Sequence, residues 1–134
     1  MNSGYIFIDH HIFPTLFAIS SEEQTKGLMG QPWPPPIMSF IYLTPSYNKF
    51  WMKNTPSPLD IVFSHNGIIN QIHKGSPNSI ATIGEDRLSD FIVELPHGTV
   101  ASCNFKLGHR IGVVTPSPAE IKKIVSQKYY EIKK

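Results

Sequence analysis

The sequence has little cysteine and little charge. Cys103 is the one cysteine in 134 residues, which excludes an internal disulfide framework and any thiol-rich metal site. Charged residues make up 16% of the chain and the formal net charge is +2, which is too small for a charge-driven nucleic-acid binder. Hydrophobic residues make up 40%, which is too much for a disordered chain, so we expect one folded domain over residues 1–134.

Long apolar runs are also missing. No apolar stretch approaches the roughly 20 residues that a transmembrane helix needs. No Lys or Arg precedes the first apolar positions, and His10, His11 and Pro14 interrupt them, which is untypical of a secretory signal. We therefore expect a soluble, cytoplasmic protein without a membrane span, of viral or bacterial origin.

Motifs for common cofactors and catalytic centres are absent as well. The chain has no G-x-G-x-x-G, no P-loop, no G-x-S-x-G and no H-E-x-x-H. Its histidines are scattered without metal-ligand spacing, and a lone cysteine is more often a small buried apolar residue than a nucleophile. We predict neither a cofactor nor a metal.

Two capping boxes predict two helices. The first begins at Ser20, with Glu23 three residues later, and should run to about Met29 and stop at Gly30. The second, opened by the sequence Ser-Pro-Ala-Glu, should cover about 117–131. Its apolar stripe indicates a terminal helix docked on the core, and its lysines leave open a basic helix that binds a partner or an anionic surface.

Between these helices the chain is typical of short strands, because β-branched and aromatic runs alternate with Gly, Pro, Asn and Ser. The pattern predicts a strand-rich α+β domain: a twisted antiparallel or barrel-like sheet with a short N-terminal helix and a C-terminal helix. The predicted strands are Tyr5–Asp9, Thr15–Ile19, Ile37–Leu43, Lys49–Met52, Leu59–Ser64, Ile68–Lys74, Asp90–Leu95 and Arg110–Val114.

The strongest turn signal is Asn66-Gly67, because both residues tolerate the positive φ of a tight hairpin. A two-residue loop would place Asp60 opposite His73. A three-residue loop with Gly67 as a bulge would place Asp60 opposite Ile72 instead, and the sequence leaves both registers open.

Residues 31–36 (Gln-Pro-Trp-Pro-Pro-Pro) form a stiff extended segment, since proline fixes φ and removes backbone donors. We expect a rigid loop across the core with Trp33 packed inward. The alternative is a polyproline ligand for a protein partner, with Trp33 exposed.

Four segments together resemble the uncharacterised family known as domain of unknown function 192. These are a G-L-M motif at 27–29, an I-M-S-F strand at 37–40, the run F-W-M-K-N-T-P-S-P-L-D-I-V-F at 50–63, and V-E-L-P-H-G at 93–98. The resemblance covers about residues 20–114. It implies a compact, strand-rich α/β domain and implies no reaction. The chain departs from the family pattern where an Arg often follows the G-L-M motif, here Gly30 and Gln31, and at a late Gly-Asp pair, here Gly108-His109.

The 50–63 run contains the main candidates for a binding site. Lys53 could hold an anion, Asn54 and Thr55 could supply hydrogen bonds, and Trp51 could form an aromatic wall. Asp60 lies among apolar residues, and a buried carboxylate is costly unless it is paired or hydrogen-bonded. A structural alternative stays open, in which Asn54 and Thr55 form a turn that Asp60 anchors, with Lys53 as its partner.

Glu94 is a further candidate, because it lies in another apolar run. If Asp60 and Glu94 converge, they could act as paired carboxylates in a hydrolase. We favour a non-catalytic binding or accessory domain that recognises a small polar ligand or a protein partner near Trp51, Lys53 and Asp60, with Glu94 close by. The hydrolase, and a purely structural or assembly component, are the alternatives.

Overall fold

The computed structural model describes residues 1–114, which fold into seven strands and two short helices. The C-terminal helix predicted at about 117–131 lies outside the described residues. The helices are α1 (Ser21–Lys26) and α2 (Thr99–Cys103). The strands are β1 (Asn2–Ile8), β2 (His11–Ala18), β3 (Met38–Ser46), β4 (Leu59–His65), β5 (Ile68–Gly75), β6 (Ser89–Pro96) and β7 (Ile111–Val114).

All seven strands form one sheet in the order β5-β4-β6-β3-β2-β1-β7. Neighbouring strands are antiparallel except β2 and β3, which are parallel and are joined by a crossover through α1 and the proline-rich segment. The sheet curls until its edges meet: Ile68 in β5 bridges to Arg110 before β7, and the Ile69 amide donates to the His109 carbonyl (3.0 Å). The predicted strand-rich α+β fold with a barrel-like sheet is confirmed.

Alternate residues of the central strands enter two apolar clusters, one on each face of the sheet. Along β4, Val62 belongs to one cluster, and Ile61 and Phe63 belong to the other. Because both faces are covered, β4 is buried from Leu59 to Ser64. The Val62 cluster comprises Ile6, Ile8, Phe17, Val62, Ile69, Val93, Leu95, Phe105 and Ile111. The Phe63 cluster comprises Ala18, Leu28, Met38, Phe40, Met52, Leu59, Ile61, Phe63 and Ile92.

Helix α1 begins as predicted and ends earlier than predicted. The Ser20 Oγ accepts from the Glu23 amide (3.1 Å), and the Glu23 carboxylate accepts from the Ser20 amide (3.0 Å), which completes the capping box. The Ser20 and Ile19 amides, which both donate to the Glu23 carboxylate, lower the pKa of that carboxyl. The helix stops at Lys26 rather than at Met29, because Gly27 adopts a φ of +49° and turns Leu28 into the Phe63 cluster.

The β4–β5 hairpin has a two-residue loop, but neither predicted partner of Asp60 is correct. Asn66 and Gly67 take φ values of +51° and +76°, as a tight turn requires. Asn70 is then the extra residue of a β-bulge, which shifts the register by one. Asp60 consequently lies opposite Lys74 rather than His73 or Ile72.

The segment 49–52 is not a strand of the sheet, contrary to prediction. Phe50 makes an isolated bridge with Ile83, with both amide-to-carbonyl distances at 2.8 Å, and the Met52 amide donates to the Ser79 carbonyl. The backbone of this segment is therefore satisfied by the loop after β5 and not by a strand of the sheet.

Trp33 is 55% exposed, so the expectation that it packs inward is wrong. Pro35 is the residue of this segment that is buried. A stiff segment presents neighbouring side chains on different sides, and only one of them can face the core.

Candidate functional site

A cavity of about 390 Å³ opens between α1 with the turn that follows it, β3, and the segment 49–55. Leu28, Phe40 and Phe50 form the apolar part of its wall, and polar side chains of α1, including Gln24 and Thr25, form another part. The Phe50 ring packs edge-on against Phe40 (centroids 4.8 Å apart) and against Phe63 (5.6 Å), which ties the wall to the core. The wall is thus rigid where it meets the sheet.

Glu94 is the acidic residue of this cavity. It lies on β6 opposite Ile61 of β4 and Met38 of β3, so its side chain shares the face of the Phe63 cluster. Its Oε1 atom lies 3.6 Å from the position that a Cβ on Gly27 would occupy, which places the carboxyl under the turn after α1. The residue is 4% exposed.

Within residues 1–114 no backbone or side-chain group hydrogen-bonds to the Glu94 carboxyl, which faces the cavity. Desolvation by burial raises its pKa from the ordinary value of 4.5 to about 8, because nothing around it stabilises the charged form. Near neutral pH the group is therefore mainly a neutral acid, which can donate one hydrogen bond as well as accept.

Tyr42 of β3 shares the cavity with Glu94. Burial, and in addition the nearby Glu94 charge, raise the pKa of the Tyr42 hydroxyl to about 12. The phenol therefore stays protonated over the whole range in which Glu94 titrates.

Basic and aromatic side chains line the mouth of the cavity. The Lys53 Nζ lies 5.2 Å from the centre of the Trp51 ring, a cation–π arrangement, and Trp51 is 47% exposed. Lys26 comes from the last turn of α1. Lys49 also lines the cavity, but its ammonium is held by the Asp86 carboxylate (2.8 Å) and the Gly84 carbonyl (3.1 Å).

Asn54 and Thr55 form the turn of the structural alternative. Asn54 has a φ of +53°, and its carbonyl accepts from the Gly30 amide (2.8 Å). The buried Thr55 hydroxyl donates to the Lys53 carbonyl (3.1 Å). This turn holds the 51–55 segment against the end of α1, so it builds the cavity wall, although the Asn54 side chain does not line the cavity.

Asp60 belongs to a different site. Its Oδ2 accepts from the Gly98 amide (3.0 Å) and the Val100 amide (2.9 Å), and its Oδ1 lies 3.2 Å from the His97 Nδ1. These bonds satisfy the first amides of α2, a helix too short for the sequence pattern to reveal. The predicted partner Lys53 takes no part in them.

Asp60 and Glu94 do not converge. Asp60 lies opposite Leu95, whereas Glu94 lies opposite Ile61, so the two carboxyl groups leave opposite faces of the sheet. The paired-carboxylate arrangement considered for a hydrolase is therefore absent. Within residues 1–114 there is also no cluster of three or more His, Cys, Asp or Glu side chains that could hold a metal.

Four of the six predicted site residues thus line one cavity: Trp51, Lys53, Thr55 and Glu94. Sequence reasoning missed Lys26 and Tyr42 as their neighbours in this cavity. The G-L-M motif at 27–29 was a usable signal, because a glycine directly after a short helix allows the backbone to pass close to other parts of the protein or to a ligand. Nothing local distinguished Lys26 from the other lysines.

The chain's departures from the family pattern fall in two places. Gly108 has a φ of +91° and its amide donates to the Ile69 carbonyl (2.9 Å), so Gly108-His109 lies at the seam of the curled sheet. Gln31 lies near the cavity turn, where its carbonyl accepts from the Ser57 hydroxyl (2.9 Å). Neither residue lines the cavity.

Comparisons with known proteins agree with this architecture. The model of the DUF192 family, described as "Uncharacterized ACR", matches residues 6–113. A crystal structure of a protein of unknown function from Novosphingobium aromaticivorans is 25% identical, with a TM-score of 0.76 over 82% of this chain and 84% of that one. A protein from Sinorhizobium meliloti, described as a proposed transcription regulator, is 27% identical, with a TM-score of 0.77 over 84% of this chain and 94% of that one. No curated protein is significantly similar.

No helix within residues 1–114 is long and apolar enough to cross a membrane.

Proposed function

The chain belongs to the DUF192 family, whose members are described only as uncharacterized, and from this premise we propose that it is a non-catalytic binding domain for one small polar ligand. The ligand occupies the cavity beneath α1 and hydrogen-bonds to Glu94. The observation that carries the proposal is the Glu94 carboxyl itself, which is buried, points into a cavity and has no partner within residues 1–114.

An unpartnered buried carboxyl is costly, so a chain selected for stability alone would replace it. Functional sites are where such costs are kept. Asp60 shows the contrast within the same sheet, because its carboxylate accepts from the Gly98 and Val100 amides at the start of α2 and contacts the His97 ring. Glu94 supports no other residue in this way.

The cavity also has the size and composition of a ligand site. A volume of about 390 Å³ falls within the ~300–1,000 Å³ usual for small-molecule pockets. Such pockets combine apolar and aromatic side chains with polar groups that fix orientation. Here Phe40 and Phe50 supply the aromatic part, and Glu94 with the polar side chains of α1 supplies the other. No second carboxyl and no histidine is among the lining residues, so the cavity gives no support to the paired-carboxylate chemistry of a hydrolase.

The proposal is tested by thermal unfolding of the full chain against a library of organic acids, sugars, amino acids and nucleosides. A ligand at 100 times its Kd should stabilise the protein by about 2.7 kcal/mol. Trp51→Ala should weaken the binding of that ligand by about 1 kcal/mol, or roughly fivefold in Kd.

Trp33→Ala is the matched control, because Trp33 is a similarly exposed tryptophan that does not line the cavity. A ligand whose affinity falls with Trp33→Ala and not with Trp51→Ala would show that the cavity is not the site. If no compound in the library shifts the unfolding temperature, the binding function is contradicted.

A second candidate function rests on Trp33. This exposed side chain stands between prolines of a stiff extended segment, an arrangement that favours contact with a protein partner. Cross-linking in cells through a photoreactive residue at position 33, with position 47 as an exposed aromatic control, would identify that partner or show that none binds there.

A further inference from the structure

Building on the proposed function, we infer that the ligand of this cavity is a small organic anion. Its carboxylate or phosphate group lies at the mouth beside Lys26 and Lys53, and an uncharged oxygen of the same molecule contacts the Glu94 carboxyl.

The charges around the cavity determine this class of ligand. The charged lining residues are Lys26, Lys49, Lys53 and Glu94. Lys49 is neutralised by Asp86, whereas no acidic side chain within residues 1–114 lies within ion-pair distance of Lys26 or Lys53. A cleft lined by charges of one sign concentrates ligands of the opposite sign. An anion is therefore drawn to the mouth, and a cation is repelled.

The base of the cavity does not reverse this preference. Burial raises the pKa of Glu94 to about 8, so at neutral pH the group adds little negative charge. The other titratable groups that share the cavity are Tyr42 from β3, Lys26 from α1, and Lys49 and Lys53 from the 49–55 segment. Tyr42 is neutral over this range, because its pKa is raised to about 12. The neutral Glu94 acid donates its O–H, and a hydroxyl, carbonyl or carboxyl oxygen of the ligand accepts it.

Trp51 and Lys53 also hold the mouth in a defined shape. The Lys53 ammonium lies 5.2 Å from the centre of the Trp51 ring, and this cation–π contact favours a position of the ammonium beside the cavity that both residues line. An anion there would complete a ring–cation–anion stack. Its body would then lie against Phe40 and Phe50.

Matched sets of compounds on two skeletons test the inference. One set is glucose, glucuronate, glucose phosphate and glucosamine; the other is mandelamide, mandelate and phenylethanolamine. Calorimetric titration of the full chain at slightly acidic pH and low salt should rank the anion first and the cation last in each set. Comparing the affinities of glucuronate and glucose phosphate distinguishes a carboxylate site from a phosphate site.

Lysine variants locate the contact. Lys26→Gln and Lys53→Gln should each weaken binding of the anion by about two- to fivefold, as expected for charges at a solvated rim. Binding of the neutral member of each set should not change. Lys74→Gln is the matched control, because Lys74 is an exposed lysine outside the cavity. Anion affinity should also fall as the pH rises past about 8. Glu94→Gln, which keeps a donor, should bind the anion with no such fall.

The outcomes separate this inference from the proposed function. Tighter binding of the neutral or cationic members at the same cavity overturns the anion inference and leaves the binding function in place. Equal losses of anion affinity for Lys26→Gln, Lys53→Gln and Lys74→Gln also overturn it, since the net charge of the protein, and not the position of the lysine, would then determine binding. If no member of either set binds, the inference fails; if the broad library also yields nothing, the proposed function fails with it.

Discussion

Asp60 on β4 and Glu94 on β6 are one step out of register on adjacent strands, and their side chains therefore lie on opposite faces of the sheet. Both are 4% exposed, yet they perform different tasks. Asp60 is saturated by the amides and the histidine at the start of α2, whereas Glu94 faces a cavity with no partner within residues 1–114. This contrast leads to the first two predictions.

Glu94 should make the protein less stable as the pH rises. Below its ordinary pKa of 4.5 the folded and unfolded chains both hold the proton. Between about 4.5 and about 8 the unfolded chain has released it and the folded chain has not, so rising pH favours unfolding by a few kcal/mol in total.

Glu94→Gln should remove this pH dependence and should be more stable than the parent at pH 8. Urea denaturation across this pH window measures both slopes. Glu22→Gln, which changes an exposed glutamate in α1, serves as the control and should retain the parent slope. An unchanged slope for Glu94→Gln would show that Glu94 is ionised in the folded protein at neutral pH.

Asp60→Asn should destabilise the protein by about 2 kcal/mol, because one of the acceptor oxygens facing His97, Gly98 and Val100 becomes a donor. Equilibrium denaturation measures the loss. His97→Ala removes only the partly exposed Oδ1 partner and should cost less. Ligand binding should not change, since Asp60 lies on the other face of the sheet. A stable Asp60→Asn variant with impaired binding would instead place Asp60 in the functional site.

Gly84→Ala should destabilise the protein more than Gly108→Ala by about 1–3 kcal/mol. Both glycines have positive φ, +128° and +91°, so both substitutions introduce backbone strain. Only at Gly84 would the new Cβ lie 2.8 Å from a backbone atom, the Asn48 carbonyl oxygen; at Gly108 nothing lies within 4 Å. Denaturation of the two variants in parallel isolates the steric cost. Equal losses would mean that the loop around Gly84 can move.

Ser20→Ala should lower the free energy of unfolding by about 1 kcal/mol, because the Glu23 amide loses its acceptor at the start of α1. Helix α1 covers the cavity, so ligand affinity should fall as well. Ser76→Ala is the control, since Ser76 is an exposed serine outside the cavity and is not part of α1. A loss of stability without any loss of affinity would show that binding does not depend on a well-formed α1.

Much of the fold could be predicted because it depends on interactions between residues close in sequence. The capping box of Ser20 and Glu23 closes within three residues, and the Asn66-Gly67 turn needs only two residues that tolerate positive φ. The segment 49–52 was predicted wrongly for the opposite reason. Its composition is typical of a strand, but the position beside β4 is occupied by β6, which arrives from far along the chain.

The sequence by itself indicated that the chain is strand-rich, and that Asp60, within the family motif, and Glu94 both lie in apolar runs of the chain. Only the tertiary structure decided what each carboxylate does. A strand presents alternate residues to opposite faces, so one step of register between β4 and β6 sends one carboxyl to the α2 amides and the other into the cavity. That register depends on pairing between residues more than thirty positions apart, and no local pattern encodes it.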